Sequence, residues 1–199
     1  MKQDLRIVKG TETKSKLLEA GLQILAQEGF TGLSAKKVSD AAGVSKSNFF
    51  HHFTSAEEMT QQLFDYMMTI AFPASNAKIT FKSVKEFLSV LGDLTLNINE
   101  RERIAYMALY HYYNLALVNP EYQVKIEAVK LEMATFIKQT ILQIEPNDTK
   151  LAQRLDEAIE LFVIQLDTIG MHYMLDKEIE KSKRLWALQS QMLLDYLYS

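Results

Sequence analysis

The sequence predicts an all-α protein of about nine helices. Only seven glycines and three prolines interrupt its 199 residues. Strong helix formers (Leu, Ala, Lys, Glu, Gln, Met) recur along the whole chain. Apolar residues return at helical spacing between recognisable start and stop signals.

Thr11 or Thr13 opens a first helix that runs to about Gln27. Its stripe is Leu18, Leu22 and Leu25, flanked by Leu17, Gly21 and Ile24, and Gly29 suits its C-terminus. Ser34 caps a second helix, Ala35 to Ala42, which Gly43 ends. Ser45 caps a short third helix, Lys46 to about His52. Ser55-Ala56-Glu57-Glu58 has the form of a capping box and opens a fourth helix that ends near Pro73. Residues 74–82 read as a linker. Ser83 to Asn97 is amphipathic, and Asn99 with Glu102 caps a helix that reaches Val118. Pro120 stands at a first helical position, where its missing N–H costs little, and that helix runs to about Ile144. Pro146-Asn147-Asp148 is a turn, and two further helices cover about 149–175 and 178–197.

Composition narrows the function. There is no cysteine, which excludes a disulfide framework and any thiolate-held zinc or iron–sulfur site, and is compatible with a reducing, cytoplasmic setting. The net charge is −3, unevenly spread: residues 1–53 carry eight Lys/Arg against five Asp/Glu, while the remainder is acidic. A basic head on an acidic body suits an anionic partner for the head. The longest stretch without formal charge, Ile104 to Pro120, holds four tyrosines with His111 and Asn114. It falls short of the ~20 apolar residues that span a bilayer, so a helix buried in protein is predicted, and no membrane partner. No Gly-rich phosphate loop, G-x-S-x-G or H-E-x-x-H occurs, and His111 and His172 stand singly. Neither catalysis, a metal nor a cofactor is expected.

The informative stretch is Leu33 to Phe53, L-S-A-K-K-V-S-D-A-A-G-V-S-K-S-N-F-F-H-H-F. Two short helices flank Gly43-Val44-Ser45, with Val38, Ala41 and Ala42 of the first set to pack on Val44, Phe49 and Phe53 of the second. Gly43 supplies the backbone angle of the turn. This is a helix-turn-helix pattern, which presents its second helix to a DNA major groove. Ser45 and Lys46 mark a phosphate site at the start of that helix. Ser47 and Asn48 are short and polar, and Asn pairs bidentately with adenine. Phe50 suits a thymine methyl or the sugar edge, His51 and His52 suit phosphates, and Lys36 with Lys37 suit the flanking backbone. The same spacing also fits a plain helical core with Phe49 and Phe50 both buried.

Residues 11–64 resemble the N-terminal domain of the TetR (tetracycline-repressor) family of bacterial transcription regulators. T-K-S-K-L-L-E-A-G-L-Q-I-L-A-Q-E-G-F is similar to the family's first helix and its Gly-Phe exit. G-L-S-A-K-K-V-S-D-A-A-G-V-S-K-S-N-F-F-H-H-F is similar to its helix-turn-helix, and T-S-A-E-E-M to the start of its linking fourth helix. The resemblance implies DNA contacts from Ala35 or Lys36, from Lys46, Ser47 and Asn48, and from Phe50, His51 and His52. Where the family usually has Tyr this chain has Phe50, where it often has Gly this chain has Ser47, and where Lys is common this chain has Ala56. Lys2, Arg6 and Lys9 read as a basic arm that makes up for those losses, or as a disordered start. The implied domains are a helix-turn-helix domain at 1–54 with linking helix 55–72, and a larger ligand-binding and dimerisation domain at 73–199.

Read for those two tasks, the body offers candidates. Met107, His111 and Asn114 share one face of the uncharged helix, and Tyr106, Tyr110, Tyr113 and Leu117 another. Phe136 and Met133 add wall, and Gln165, Thr168 and His172 add a polar line, so a pocket for a small apolar or aromatic effector is expected. A plain core with satisfied polar groups is the competing reading. Val163, Asp167, Gly170 and Met174 share a face. Leu185, Leu188, Met192 and Tyr196 form a stripe with Trp186 and Leu193 beside it. Paired, these faces would make a four-helix bundle between two subunits. The competing reading is that the stripe closes the core of one chain. The combined expectation is a homodimeric, cytoplasmic repressor that leaves a double-stranded DNA operator on binding its effector. The alternatives are a dimer of this fold with no small-molecule inducer, and a helical small-molecule-binding protein that does not bind DNA.

Overall fold

The computed structural model describes residues 2–72, 80–146 and 149–199, with backbone alone for 2–9 and 149–150. Among the described residues there are nine α-helices and one 3-10 turn. They are α1 (Lys2–Glu28), the turn Phe30–Gly32, α2 (Ala35–Ala41), α3 (Lys46–His52), α4 (Ala56–Ala71), α5 (Val84–Leu96), α6 (Glu100–Ala116), α7 (Pro120–Ile144), α8 (Thr149–Asp176) and α9 (Ile179–Tyr198). The all-α expectation holds.

Most starts are capped as the side chains dictate. The hydroxyls of Ser34, Ser45 and Ser55 accept from the amides of Lys37, Asn48 and Glu58. Asn99 and Glu102 close a full capping box. The Ser55 box does not close: Glu58 Oε2 reaches one residue further and accepts from both the amide and the hydroxyl of Thr54, at 2.6 Å each. The first helix starts at Lys2, well before Thr11 or Thr13. Lys2 to Lys9 are good helix formers with Asp4 near the positive end of the dipole, and this outweighs the ~1 kcal/mol cost of Gly10. The segment expected as a loose arm is therefore helical in its backbone, and the side chains of Lys2, Arg6 and Lys9 lie outside the described residues. Most of the predicted linker, residues 74–79, lies outside them too, as do Pro73 and residues 147 and 148 of the predicted turn.

The chain divides into two compact units, one of Met1–Ser75 with Asn99–Gln123, the other of Asn76–Ile98 with Val124–Ser199. In the first, α1 to α4 pack with α6 around Leu17, Leu22, Leu25, Val38, Phe49, Phe53, Met59 and Leu63, all buried. In the second, α5, α8 and α9 enclose Leu88, Leu155, Phe162, Trp186 and Leu193, joined by Ile137 and Ile141 of α7. Trp186 is the anchor there. Its indole N–H donates to the Leu88 carbonyl at 2.9 Å, and its ring stands edge-on to Phe162. Gly92 makes room for it, since a Cβ at that position would come within 2.2 Å of Trp186 Nε1.

Gly92→Ala should therefore destabilise this unit by about 1–3 kcal/mol, as overpacking does. That exceeds the ~1 kcal/mol of helix propensity which alanine gains over glycine. Trp186 is the only tryptophan, so its fluorescence in a urea titration reports the shift directly. A midpoint at or above wild type would show that the indole relocates freely.

Candidate nucleic-acid interface

The second and third helices are held by three fully buried side chains, Val38 from α2 with Phe49 and Phe53 from α3. The turn between them is satisfied internally: Gly43 N–H donates to Asp40 O at 3.2 Å and Val44 N–H to Ser39 O at 3.0 Å. Gly43 has φ 65°, the left-handed region that a residue with a Cβ resists. Ala41 is exposed, contrary to the packing expected of it, and Ala42 and Val44 are only half-buried. Val38 and the two phenylalanines fill the crossing.

With Phe49 and Phe53 inside, helical spacing turns the rest of α3 outward. Ser45, Lys46, Ser47, Asn48, Phe50 and His51 are exposed, as is Lys36 on α2, while His52 is half-buried. Phe50 decides between the two sequence readings. It is 50% exposed, so the plain core with both phenylalanines inside is excluded. Its ring stands edge-on to Phe49 at 5.4 Å, and Lys46 Nζ lies 5.7 Å from its centroid. The apolar ring and the cation are thus held together at the surface. Ser45 Oγ caps α3 by accepting from Asn48 N–H at 3.2 Å, which keeps its hydroxyl proton available to a phosphate oxygen. Lys37 is ion-paired with Glu28 of α1, so of the two α2 lysines Lys36 is the one set toward a partner.

Residues 17–63 match the family described as bacterial regulatory proteins, tetR family. Over these residues the chain is similar to the DNA-binding head of the TetR family. It is 32% identical over 68 residues to the HTH-type transcriptional regulator CymR of Pseudomonas putida, a match that spans 34% of each chain, so about a third of that regulator's length. Two solved structures extend the likeness to the whole fold. A TetR-family regulator from Rhodococcus sp. superposes with a TM-score of 0.72 at 14% identity, over 92% of this chain and 98% of that one. A regulator from Saccharomonospora viridis, solved in complex with choline, superposes with a TM-score of 0.65 at 15% identity, over 94% and 96%. The TetR family is one of regulators rather than enzymes. Among the described residues, no cluster of His, Cys, Asp or Glu could hold a metal, and no helix is long and apolar enough to cross a membrane.

Within the unit that carries this TetR-like head, α6 is fastened at three places. Arg101 Nη2 donates to Glu19 of α1 at 3.0 Å and to the Tyr66 hydroxyl of α4 at 2.7 Å, and Tyr66 donates to Glu19 at 2.5 Å. Partial burial acts to raise the Glu19 carboxyl, but hydrogen bonds from Arg101 and Tyr66 outweigh it and leave the group below its ordinary 4.5. His111 lies against Gly29, where a Cβ would stand 3.3 Å from the imidazole; with φ 69°, Gly29 answers to both the turn and the ring. Tyr112, fully buried, donates to the Thr60 carbonyl at 2.7 Å, and Phe30 and Phe64 stand edge-on to its ring at 5.0 Å each. None of Glu19, Tyr66, Arg101 or Tyr112 was singled out by sequence. Tyr112 had a signal: Ala105, Ala108, Leu109 and Tyr112 follow helical spacing, and they are the buried face.

The eight residues expected to line a pocket fall in both units. Tyr106 donates to Ala71 O, Met107 Sδ accepts from Arg103, and Tyr110 stacks on Tyr113. Asn114 is exposed and donates back to Tyr110 O. These residues and His111 belong to the first unit. Phe136, Gln165 and His172 belong to the second, with Phe136 and His172 exposed. That unit carries an open depression of about 430 Å³ between the start of α5 and the end of α9, lined by Lys85, Gln191, Leu194, Asp195 and Tyr198, and none of the eight lines it.

On α9 the predicted stripe is at the surface: Leu185, Leu188, Met192 and Tyr196 are all exposed, while Trp186 and Leu193 point into the core. On α8 the exposed face is a different one from that predicted. Val163 is 4% exposed, packed in its own unit's core, and Gly170 and Met174 are half-buried. A Cβ on Gly170 would make only an ordinary contact with Thr95, at 3.9 Å. Leu161, Ile164 and Leu175 face outward instead. Since Leu161 to Ile164 is an unbroken apolar run, periodicity there does not select a face.

Proposed function

We propose that this protein is a DNA-binding transcription regulator that acts in the cytoplasm as a homodimer, a repressor released from its operator by a small apolar or aromatic effector. One observation carries the reading. Three buried residues (Val38, Phe49, Phe53) hold a seven-residue helix so that Lys46, Ser47, Asn48, Phe50 and His51 face outward together. Polar readers at the first turn and a cation-bearing rim are what major-groove docking requires.

Two readings follow from it. The exposed apolar residues of α9, with Leu161, Ile164 and Leu175 of α8, supply a face whose natural cover is a second copy. Two heads so joined would reach successive major grooves about 34–36 Å apart on a near-palindromic operator. The effector acts through α6, whose Tyr106, Met107 and Tyr110 are apolar walls on the same helix that His111, Tyr112 and Arg101 fasten to the head. An effector shifts the protein away from DNA only by binding better to the arrangement that does not fit the operator. The choline held by the S. viridis regulator supports a ligand-binding role for the helical body.

Binding titrations at several salt concentrations test the head. Asn48→Ala should cost about 1–3 kcal/mol at one base position and relax preference there. Lys46→Ala should weaken binding to all sequences alike and reduce the salt slope by about one. If both variants bind as wild type does, α3 is not the reading helix.

A further inference from the structure

The third helix ends in two adjacent imidazoles. Their ring centroids lie 5.1 Å apart with planes at 70°. His51 is exposed and His52 half-buried, its ring 6.5 Å from that of Phe53. From α1, Lys14 approaches the same place, its ammonium 6.0 Å from the Phe53 centroid. From α4 the facing acid is Glu58, whose Oε2 already accepts two hydrogen bonds from Thr54 and which also interacts with Lys14. Lys46, on α3 itself, stands over Phe50. Both groups acting directly on His52, His51 and Lys14, oppose a charge on its ring. Burial first, then His51, then Lys14 push its pKa below the ordinary 6.5, and the free head holds the ring neutral at neutral pH.

Docking α3 into a groove reverses that environment. It brings phosphate oxygens to the flank where Asn48 and His52 sit four residues apart, and these anions offset Lys14 and His51. A neutral imidazole offers one N–H donor, the cation two. We propose that docking of α3 on duplex DNA is coupled to uptake of one proton by His52, so that DNA binding tightens as the pH falls from about 8 to about 6. The proposal rests on the DNA-binding reading given above. One proton passes from solvent to a ring nitrogen, and no other bond changes.

The free and bound states respond to acid in opposite senses. Folding lowers the pKa of His52, so its contribution to the stability of the free head is present above 6.5 and lost as pH falls through and below that value. DNA raises the pKa again, so the complex gains as pH falls. Each unit of that rise is worth up to about tenfold in affinity, reached in full only where the pH lies below the free ring's pKa. Mild acidification would therefore raise operator occupancy with no effector involved.

The test uses the full chain and a labelled mixed-sequence duplex of about 30 base pairs, long enough for two half-sites one turn apart. Affinity is measured by fluorescence anisotropy across that pH range at fixed low ionic strength. Wild type should bind several-fold tighter at the acid end, and at most about tenfold for each pKa unit shifted. In a His51→Gln background, which should itself keep a slope, His52→Gln should bind with no pH dependence. Calorimetry of the unmodified protein, in two buffers of different ionisation heat at equal pH, should show net proton uptake on binding. This second measurement stands even if His52→Gln folds poorly. A pH-independent wild type, a slope that survives His52→Gln in that background, or zero proton uptake overturns the coupling while leaving DNA binding intact. No binding at any pH overturns the DNA-binding reading and the coupling with it.

Discussion

Tyr112→Ala should destabilise the head-bearing unit by about 3–5 kcal/mol, the range for deleting a fully buried aromatic ring. The ring sits between Phe30, Phe64 and Tyr122, with centroids 5.0, 5.0 and 5.4 Å away, so its removal leaves a cavity bounded by stiff aromatic walls. It also removes the hydrogen bond to the Thr60 carbonyl. Burial pushes the Tyr112 phenol far above its ordinary pKa, so it remains a donor throughout the working pH range. Tyr112→Phe removes the hydrogen bond alone and should cost about 0.5–1.5 kcal/mol, the net worth of one hydrogen bond, since Thr60 lies inside α4 and its carbonyl keeps its helical donor. The loss is of the order of a domain's whole stability, about 5–15 kcal/mol, so Tyr112→Ala should lose DNA binding as well. Urea unfolding followed by circular dichroism checks both variants. An alanine variant within 1 kcal/mol of wild type would show that α6 is not what holds the head's hydrophobic face.

The second large effect concerns the apolar stripe of α9. Leu188 and Met192, each 59% exposed, lie at its centre, and a double substitution Leu188→Asp with Met192→Asp, which puts two like charges there, should dissociate the proposed dimer without entering the core. Buried, unpaired charges in an interface cost several kcal/mol, while on a free surface they cost almost nothing. A stable interface buries at least about 1,000 Å², which needs a face of this length together with Leu161 and Ile164. DNA affinity should fall by two or more orders of magnitude, because each head then binds alone and loses the effective concentration its partner supplied. Sedimentation velocity gives the oligomeric state and anisotropy the affinity. A dimeric double variant would exclude this face as the contact.

What could be read from the sequence follows from how local each signal is. Ser34, Ser45, Gly43 and the Leu17–Leu25 stripe act within a few residues, and so the helix-turn-helix and its exposed readers were open to inspection. The start of α1 was misplaced because cap residues at Thr11 and Thr13 were weighed above the helix propensity of Lys2 to Lys9. In α6, tyrosines at 106, 110, 112 and 113 point in every direction, and attention to the polar residues among them hid the true buried face, Ala105, Ala108, Leu109 and Tyr112. In α8, an apolar run of four left its orientation to tertiary packing, and Val163 went inward where Leu161 and Ile164 did not. Room for a large side chain is also invisible locally: Gly92 and Trp186 are far apart in sequence, as are Gly29 and His111, and each pair meets only in the fold.

The central claim is that two copies of α3 read DNA together. Selection of duplexes from a random library by the purified protein, followed by hydroxyl-radical footprinting of the enriched sequence, tests it most directly. The account predicts a near-palindrome with two protected half-sites centred about 34–36 Å apart, one helical turn, and loss of enrichment for the Lys46→Ala, Asn48→Ala double variant. A library that shows no enriched sequence, or an enriched site still selected by that double variant, would contradict it.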